Sequence, residues 1–329
     1  MTEPTLLQAA PFQRDRFTWL AYWMLAYYAY MQAALGPLMP FLRAELGLSY
    51  TVAGLHLSAF ALGMVLAGLT GDRLALKLSR YVVFWAGAAG MAVGGVGLAL
   101  SSQTVLTIGS ILAMGWLGSL VLVMIQAMLS DRHQEKRAIA LTESNVMASV
   151  FAALAPLLIG GFQRTGFGWR SALYFGAATL LVMGLLFKAQ PVPEPRRAVE
   201  DKSSSRKLPL LFWGYWLVVV LSVSVEWCLI FWGADFLENQ AGLARVDAAT
   251  AMSVFFGAMI VGRFWGSRLT RTTPGANLLT LALSTALVGF PLFWLARSPV
   301  LNIVGLFITG LGVANLFPLS LSVAGGGAA

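Results

Sequence analysis

The residues able to do chemistry are few, and most stand alone in apolar surroundings. Glu226 lies near the middle of a hydrophobic run, Ser224-Val-Glu226-Trp-Cys228-Leu-Ile-Phe231, with no basic residue close to it in that run. A carboxylate placed there either handles a proton or a cation, or stays neutral and hydrogen-bonded as a lock between helices. Glu143 and Asn145 fall near the start of another run. A helix-end cap and a place on a polar path through the bundle are both open to them. Trp23, Tyr27 and Tyr30 follow i, i+4, i+7 spacing and share one helical face. That face suits stacking against an aromatic or sugar-like ligand, and equally suits packing. Gln32, Gln126 and Asn315 are single amides in apolar runs, fit either to bond between helices or to line a cavity. Arg263 is placed to snorkel to the nearer membrane face, and Asp235 with Glu238 reads as a solvated helix end. The lone cysteine, Cys228, rules out a disulfide framework and reads as a small packing residue. His56 and His133 are isolated, the second in a predicted loop, so no metal cluster and no cofactor is expected. No phosphate-binding loop of the Walker type is present, and no nucleophile–base pair suggests an enzyme.

These residues are positioned by long apolar helices. Of 329 residues, 58% are hydrophobic and only 11% charged, with mean hydropathy +0.75. Soluble domains carry roughly 25% charged residues, so a soluble fold is excluded and an all-α integral membrane protein is expected. A bilayer core needs about 20 apolar residues per helical crossing. Ten such runs lie near 17–40, 52–70, 81–100, 104–129, 139–161, 170–188, 211–234, 248–267, 276–296 and 299–323. The uncharged stretch 81–130 is too long for one crossing and breaks at Ser101-Ser-Gln-Thr104. A formal net charge of +8 hints at nucleic acid, but the distribution of the basic residues argues otherwise. With the N-terminus cytoplasmic, 17 of the 22 Lys and Arg fall on the inner side, including every Lys. That is the positive-inside pattern of a multi-pass protein of the plasma (inner) membrane. The expected partners are therefore the lipid bilayer and a small molecule, with protons as a further option and no nucleic acid; the expected state is a monomer.

The chain also divides. Gln190 to Leu208 holds three prolines, three serines and eight charges and reads as a solvated linker. The expected arrangement is a membrane half at 1–189, a cytoplasmic linker at 190–210 and a second half at 211–329. A shift of 195 residues superimposes Phe60 on Phe255, Met64 on Met259, Gly71 on Gly266, Arg73 on Arg268 and Leu74 on Leu269. Such a repeat of six spans implies two halves related by an axis along the membrane normal.

Gly68-Leu-Thr-Gly71-Asp72-Arg73-Leu-Ala75-Leu76-Lys77 resembles the major facilitator superfamily signature Gly-x-x-x-Asp-Arg-x-Gly-Arg-Lys. Gly68, Asp72, Arg73 and Lys77 match; Ala75 and Leu76 depart from it. The resemblance implies a helical bundle that carries out secondary transport of a small organic solute by alternating access. It makes Gly68, Gly71, Asp72, Arg73 and Lys77 a cytoplasmic gate motif, with Asp72 meeting the N-terminal end of an eleventh helix. Glu226, Tyr27, Tyr30, Gln32, Gln126, Glu143, Asn145 and Asn315 become the candidates for ion coupling or substrate contact. The drug/proton antiporter signature is absent: the fourth run lacks an arginine, and Pro156-Leu-Leu-Ile-Gly160-Gly161 is looser than its Gly-Pro-x-x-Gly-Gly. Only four of an expected six C-terminal spans are present, which points to a C-terminally truncated member. The alternatives are a non-transporting receptor, an inactive transporter remnant, and a ten-helix drug/metabolite-type transporter. The last would repeat near 150 residues rather than 195.

Overall fold

The computed structural model describes residues 12–188, 190–193, 210–270 and 272–320, and these are helical with no strand among them. The helices are α1 (Arg16–Leu46), α2 (Tyr50–Leu78), α3 (Arg80–Leu100), α4 (Thr104–His133), α5 (Arg137–Arg164), α6 (Ser171–Phe187), α7 (Leu210–Asn239), α8 (Arg245–Leu269), α9 (Gly275–Leu295) and α10 (Pro299–Val313). The first nine expected apolar runs lie on α1 to α9; the tenth, expected over 299–323, begins on α10, turns at 314–315 and runs on past the described residues. Positions 194–209 of the predicted linker and 321–329 at the C-terminal end lie outside the described residues.

Local chemistry sets the helix ends. Asp15 and Ser49 accept the Thr18 and Val52 amides as N-caps, and Gly47 ends α1 at φ 61°. The break expected at Ser101–Thr104 separates α3 from α4. Between α4 and α5 the chain turns through Gln134 (φ 43°) and a 3-10 turn, Gln134–Lys136. His133 is thus the last residue of α4 rather than a loop residue. Among the described residues, seven stretches are long and apolar enough to cross a membrane; one of them, Thr104–Arg164, contains both α4 and α5. The helix α1 is not among them, because tyrosine, tryptophan and glutamine lower its hydropathy. Yet 22 of its 31 residues are buried, since it runs through the centre against α4, α5, α6, α7 and α8.

The packing repeats with the sequence. At Gly115 of α4 an added side chain would strike the Phe60 backbone of α2; at Gly310 of α10 it would strike Phe255 of α8. Gly94 and Met114 join α3 to α4 as Gly289 and Thr309 join α9 to α10. Every partner is displaced by the same 195 residues, so the offset read from one motif extends through two helix contacts, α2–α4 repeated as α8–α10 and α3–α4 as α9–α10. Helix backbones approach this closely only where a Cβ is missing.

Candidate functional site

A cavity of about 140 Å³ lies where α1, α5, α7 and α8 meet, lined in part by Gln32, Asn145, Ser149, Glu226, Trp227 and Arg263. Glu226 is 16 residues from the start of α7, about 24 Å along the axis, so the cavity is deep within the bundle. Glu226 does not stand alone. Arg263 of α8 approaches it to 3.5 Å and donates from its other terminal nitrogen to Ser149 Oγ at 3.0 Å. Arg263 remains exposed, and its guanidinium lies beside Glu226, the one carboxylate in the cavity lining. Sequence reasoning missed the pair because the two residues lie on different helices. An arginine six residues inside the end of α8 was the available signal. The pair is loose, since the other seven ion pairs among the described residues are 2.5–2.8 Å long.

The remaining predicted residues divide by location. Gln32 and Asn145 line the same cavity as Glu226. Tyr27 and Tyr30 point away from it: their hydroxyls donate to Ala88 O of α3 (3.1 Å) and Ala172 O of α6 (2.8 Å). With Trp23 they line a separate apolar groove between α1, α5 and α6. Glu143 is bound by Arg14 and accepts the Tyr22 hydroxyl, tying the segment before α1 to α5. Asn315, in the turn after α10, donates to Gly262 O of α8 at 2.8 Å. Gln126 is exposed on α4 and lines neither space. Cys228 is exposed on α7 rather than packed inside. His56 is fully buried between Val52 O and Thr107 Oγ1.

The two ends of the bundle differ. At the end where α1 finishes, Arg43 pairs with Asp235 of α7 at 2.8 Å and Arg164 of α5 pairs with Asp247 of α8. Asp235 is 6% exposed, and Glu238 pairs with Arg245, which corrects the reading of Asp235 and Glu238 as a solvated helix end. Gly36 lets α1 contact the Ile230 backbone directly. The opposite end carries Asp72. There Arg14–Glu143, Arg80–Asp131 and Arg132–Asp15 are ion pairs between residues that all precede the linker. Burial raises the pKa of the Asp15 carboxyl, but hydrogen bonds from Thr18 and Arg132 outweigh it and hold the group below the usual carboxylate range. Asp72, Arg73 and Lys77 are exposed, as is Gly68, while Gly71 is buried against Leu120 and Val123 of α4. No ion pair of Asp72 exists among the described residues. Along α7, Leu229, Ile230, Ala234 and Leu237 are buried whereas Trp213, Trp216, Leu217 and Leu221 are exposed. The bundle is therefore shut at the Arg43 end and looser toward the Asp72 end.

The profile of the Major Facilitator Superfamily matches residues 18–328. An uncharacterized MFS-type transporter of Yersinia pestis is 24% identical over 308 residues, covering 89% of this chain and 76% of that protein. A chloramphenicol resistance protein of Pseudomonas aeruginosa is 25% identical over 316 residues, covering 89% and 71%. Among solved structures, a bacterial homologue of the human lysosomal transporter Spinster, inward-facing and occupied, superposes with TM-score 0.76 at 17% identity, covering 95% of this chain and 75% of that one. A nucleoside transporter gives TM-score 0.77 at 15% identity, covering 94% and 82%. With its apolar helices and a family match over nearly its whole length, the chain is a multi-pass membrane protein belonging to the Major Facilitator Superfamily.

Proposed function

We propose that this protein moves a small organic solute by alternating access, with Glu226 and Arg263 as the site where solute and a coupling ion meet. The observation that carries the reading is the loose Glu226–Arg263 pair inside the cavity. Such charges within a membrane bundle are expensive and are held where they serve binding or coupling. In this reading all ten helices span the membrane, six before the 190–210 linker and four after it, with the N-terminus on the cytoplasmic side of the plasma (inner) membrane. The groups before and after the linker rock about the cavity. The Arg43 end is the outer gate, closed here, and the Asp72 end faces the cytoplasm. Gly68, Gly71, Asp72, Arg73 and Lys77 form the cytoplasmic gate loop, and protons are the coupling ion. Glu226 takes up a proton when it releases Arg263, so the pair's two states carry different charge. Gln32 and Asn145 supply amide contacts at the same site.

The relatives suggest which solutes to try first. One is named for chloramphenicol resistance, and structural neighbours are titled as a nucleoside transporter and a D-xylose–proton symporter. In proteoliposomes containing the full chain, uptake of chloramphenicol, uridine and D-xylose is measured with and without a pH gradient. The expected result is gradient-dependent movement of at least one solute; Glu226→Gln abolishes the gradient-driven component while exchange survives. Gradient-driven uptake that survives Glu226→Gln contradicts the coupling assignment. Absence of movement for every solute under every gradient favours a non-transporting receptor.

A further inference from the structure

We propose that the groove between α1, α5 and α6 is a binding site for one acyl chain of an anionic phospholipid, whose phosphate is held by Arg16. The groove has a volume of about 330 Å³ and an almost wholly apolar lining that includes Trp23, Tyr30, Phe175, Leu186 and Phe187. Arg16 stands at its mouth on two of those lining residues. It donates to Leu186 O at 2.6 Å, and its guanidinium lies 5.8 Å from the centre of the Phe187 ring.

Two features select an anionic lipid over a neutral one. Arg14, Arg80 and Arg132 at this end each pair with a carboxylate, but no carboxylate among the described residues pairs with Arg16. Lys188, exposed two residues beyond Leu186, adds positive charge beside the mouth. The dimensions agree with a single leaflet. Arg16 and Tyr30 are 14 residues apart on α1, about 21 Å, which spans from headgroup level past the roughly 15 Å hydrocarbon depth of one leaflet. The tyrosine hydroxyls at the deep end are already bound to helix carbonyls, so the groove presents their ring surfaces to the chain. On the orientation proposed above, the mouth lies in the cytoplasmic leaflet, where anionic lipids attract basic residues.

The test uses the full chain purified in detergent and mixed with equal amounts of phosphatidylglycerol and phosphatidylcholine. The protein is separated by size exclusion and the co-eluting lipid is quantified. The wild-type protein should retain phosphatidylglycerol preferentially. Arg16→Gln should cut that preference about five-fold, and Arg16→Lys should keep most of it. Ala178→Trp, at an exposed position lining the groove, should fill the groove and reduce retention of phosphatidylglycerol. A salt series needs no variant: between about 0.1 M and 1 M salt the screening length falls from about 10 Å to 3 Å, and the preference should collapse. Equal retention of the two lipids by the wild type, or a preference that survives Arg16→Gln, high salt or Ala178→Trp, overturns the proposal. None of these readouts depends on transport, so failure here leaves the transport reading to its own test.

Discussion

The Arg43 end and the Asp72 end of this bundle are made from similar residues used in opposite ways. At the Arg43 end the ion pairs Arg43–Asp235 and Arg164–Asp247 join the first six helices to the last four. At the Asp72 end the pairs Arg14–Glu143, Arg80–Asp131 and Arg132–Asp15 join residues that all precede the linker. Charge does not hold a bundle shut by being present; it does so only where the partners sit on opposite sides of the opening. The Glu226–Arg263 pair lies between these ends and is the longest ion pair among the described residues. Among the described residues, ion pairs that join the two groups of helices lie at the Arg43 end.

The contrast can be broken from the Arg43 end. Gly36→Leu should have the largest effect, because any side chain at that position meets the Ile230 backbone. Overpacking of this kind costs about 1–3 kcal/mol or more. It should appear as a clear drop in the melting temperature of the solubilised protein; an unchanged value would deny the close α1–α7 contact. Arg43→Gln comes next. The pair's side chains are only 17% and 9% exposed, and removing one member leaves Asp235 without its cation, at a cost of about 1–2 kcal/mol. The exchanged pair, Arg43→Asp with Asp235→Arg, should recover part of that loss in the same melting assay. Arg164→Gln should do less. Its pair with Asp247 is about half exposed on both sides, and such pairs are worth under about 1 kcal/mol. Asp72→Asn should change stability least, by no more than about 0.5 kcal/mol, since no ion pair of Asp72 exists among the described residues. A large loss there would mean that the Asp72 end is held by contacts the other end does not have.

The elements of this fold were legible because a membrane helix announces itself locally. Nine of the ten apolar runs coincide with helices and the tenth begins as one, and Ser101–Thr104 broke the uncharged stretch where turn-forming polar residues demanded it. The 195-residue offset was also legible, since Phe60 and Phe255 carry the same neighbours in both sequence and packing. Site geometry was less so. Glu226 stood out by its isolation, but its partner could not be read, because Arg263 is 37 residues away on another helix. Position along a helix says how deep a side chain lies, not which way it faces. The same limit applied to Tyr27 and Tyr30: their shared face was evident, but that it faces α3 and α6 was not. Asp235 shows the reverse case. A helix-end acid normally meets water, and only the meeting of α1 with α7 brings Arg43 across to bury it.

The account's central claim is that the cavity holding Glu226 and Arg263 is reached from the Asp72 end and shut at the Arg43 end. Ala152 lines that cavity and Cys228 is the only cysteine in the chain, so Ala152→Cys in a Cys228→Ser background gives a single reporter thiol. Sealed vesicles of each orientation are treated with a membrane-impermeant maleimide, and labelling is followed with time. The account predicts fast labelling from the Asp72 side, slow labelling from the Arg43 side, and a selective gain on the Arg43 side when Arg43→Gln is added. Equal rates from both sides, or faster labelling from the Arg43 side in the unaltered gate, would contradict it.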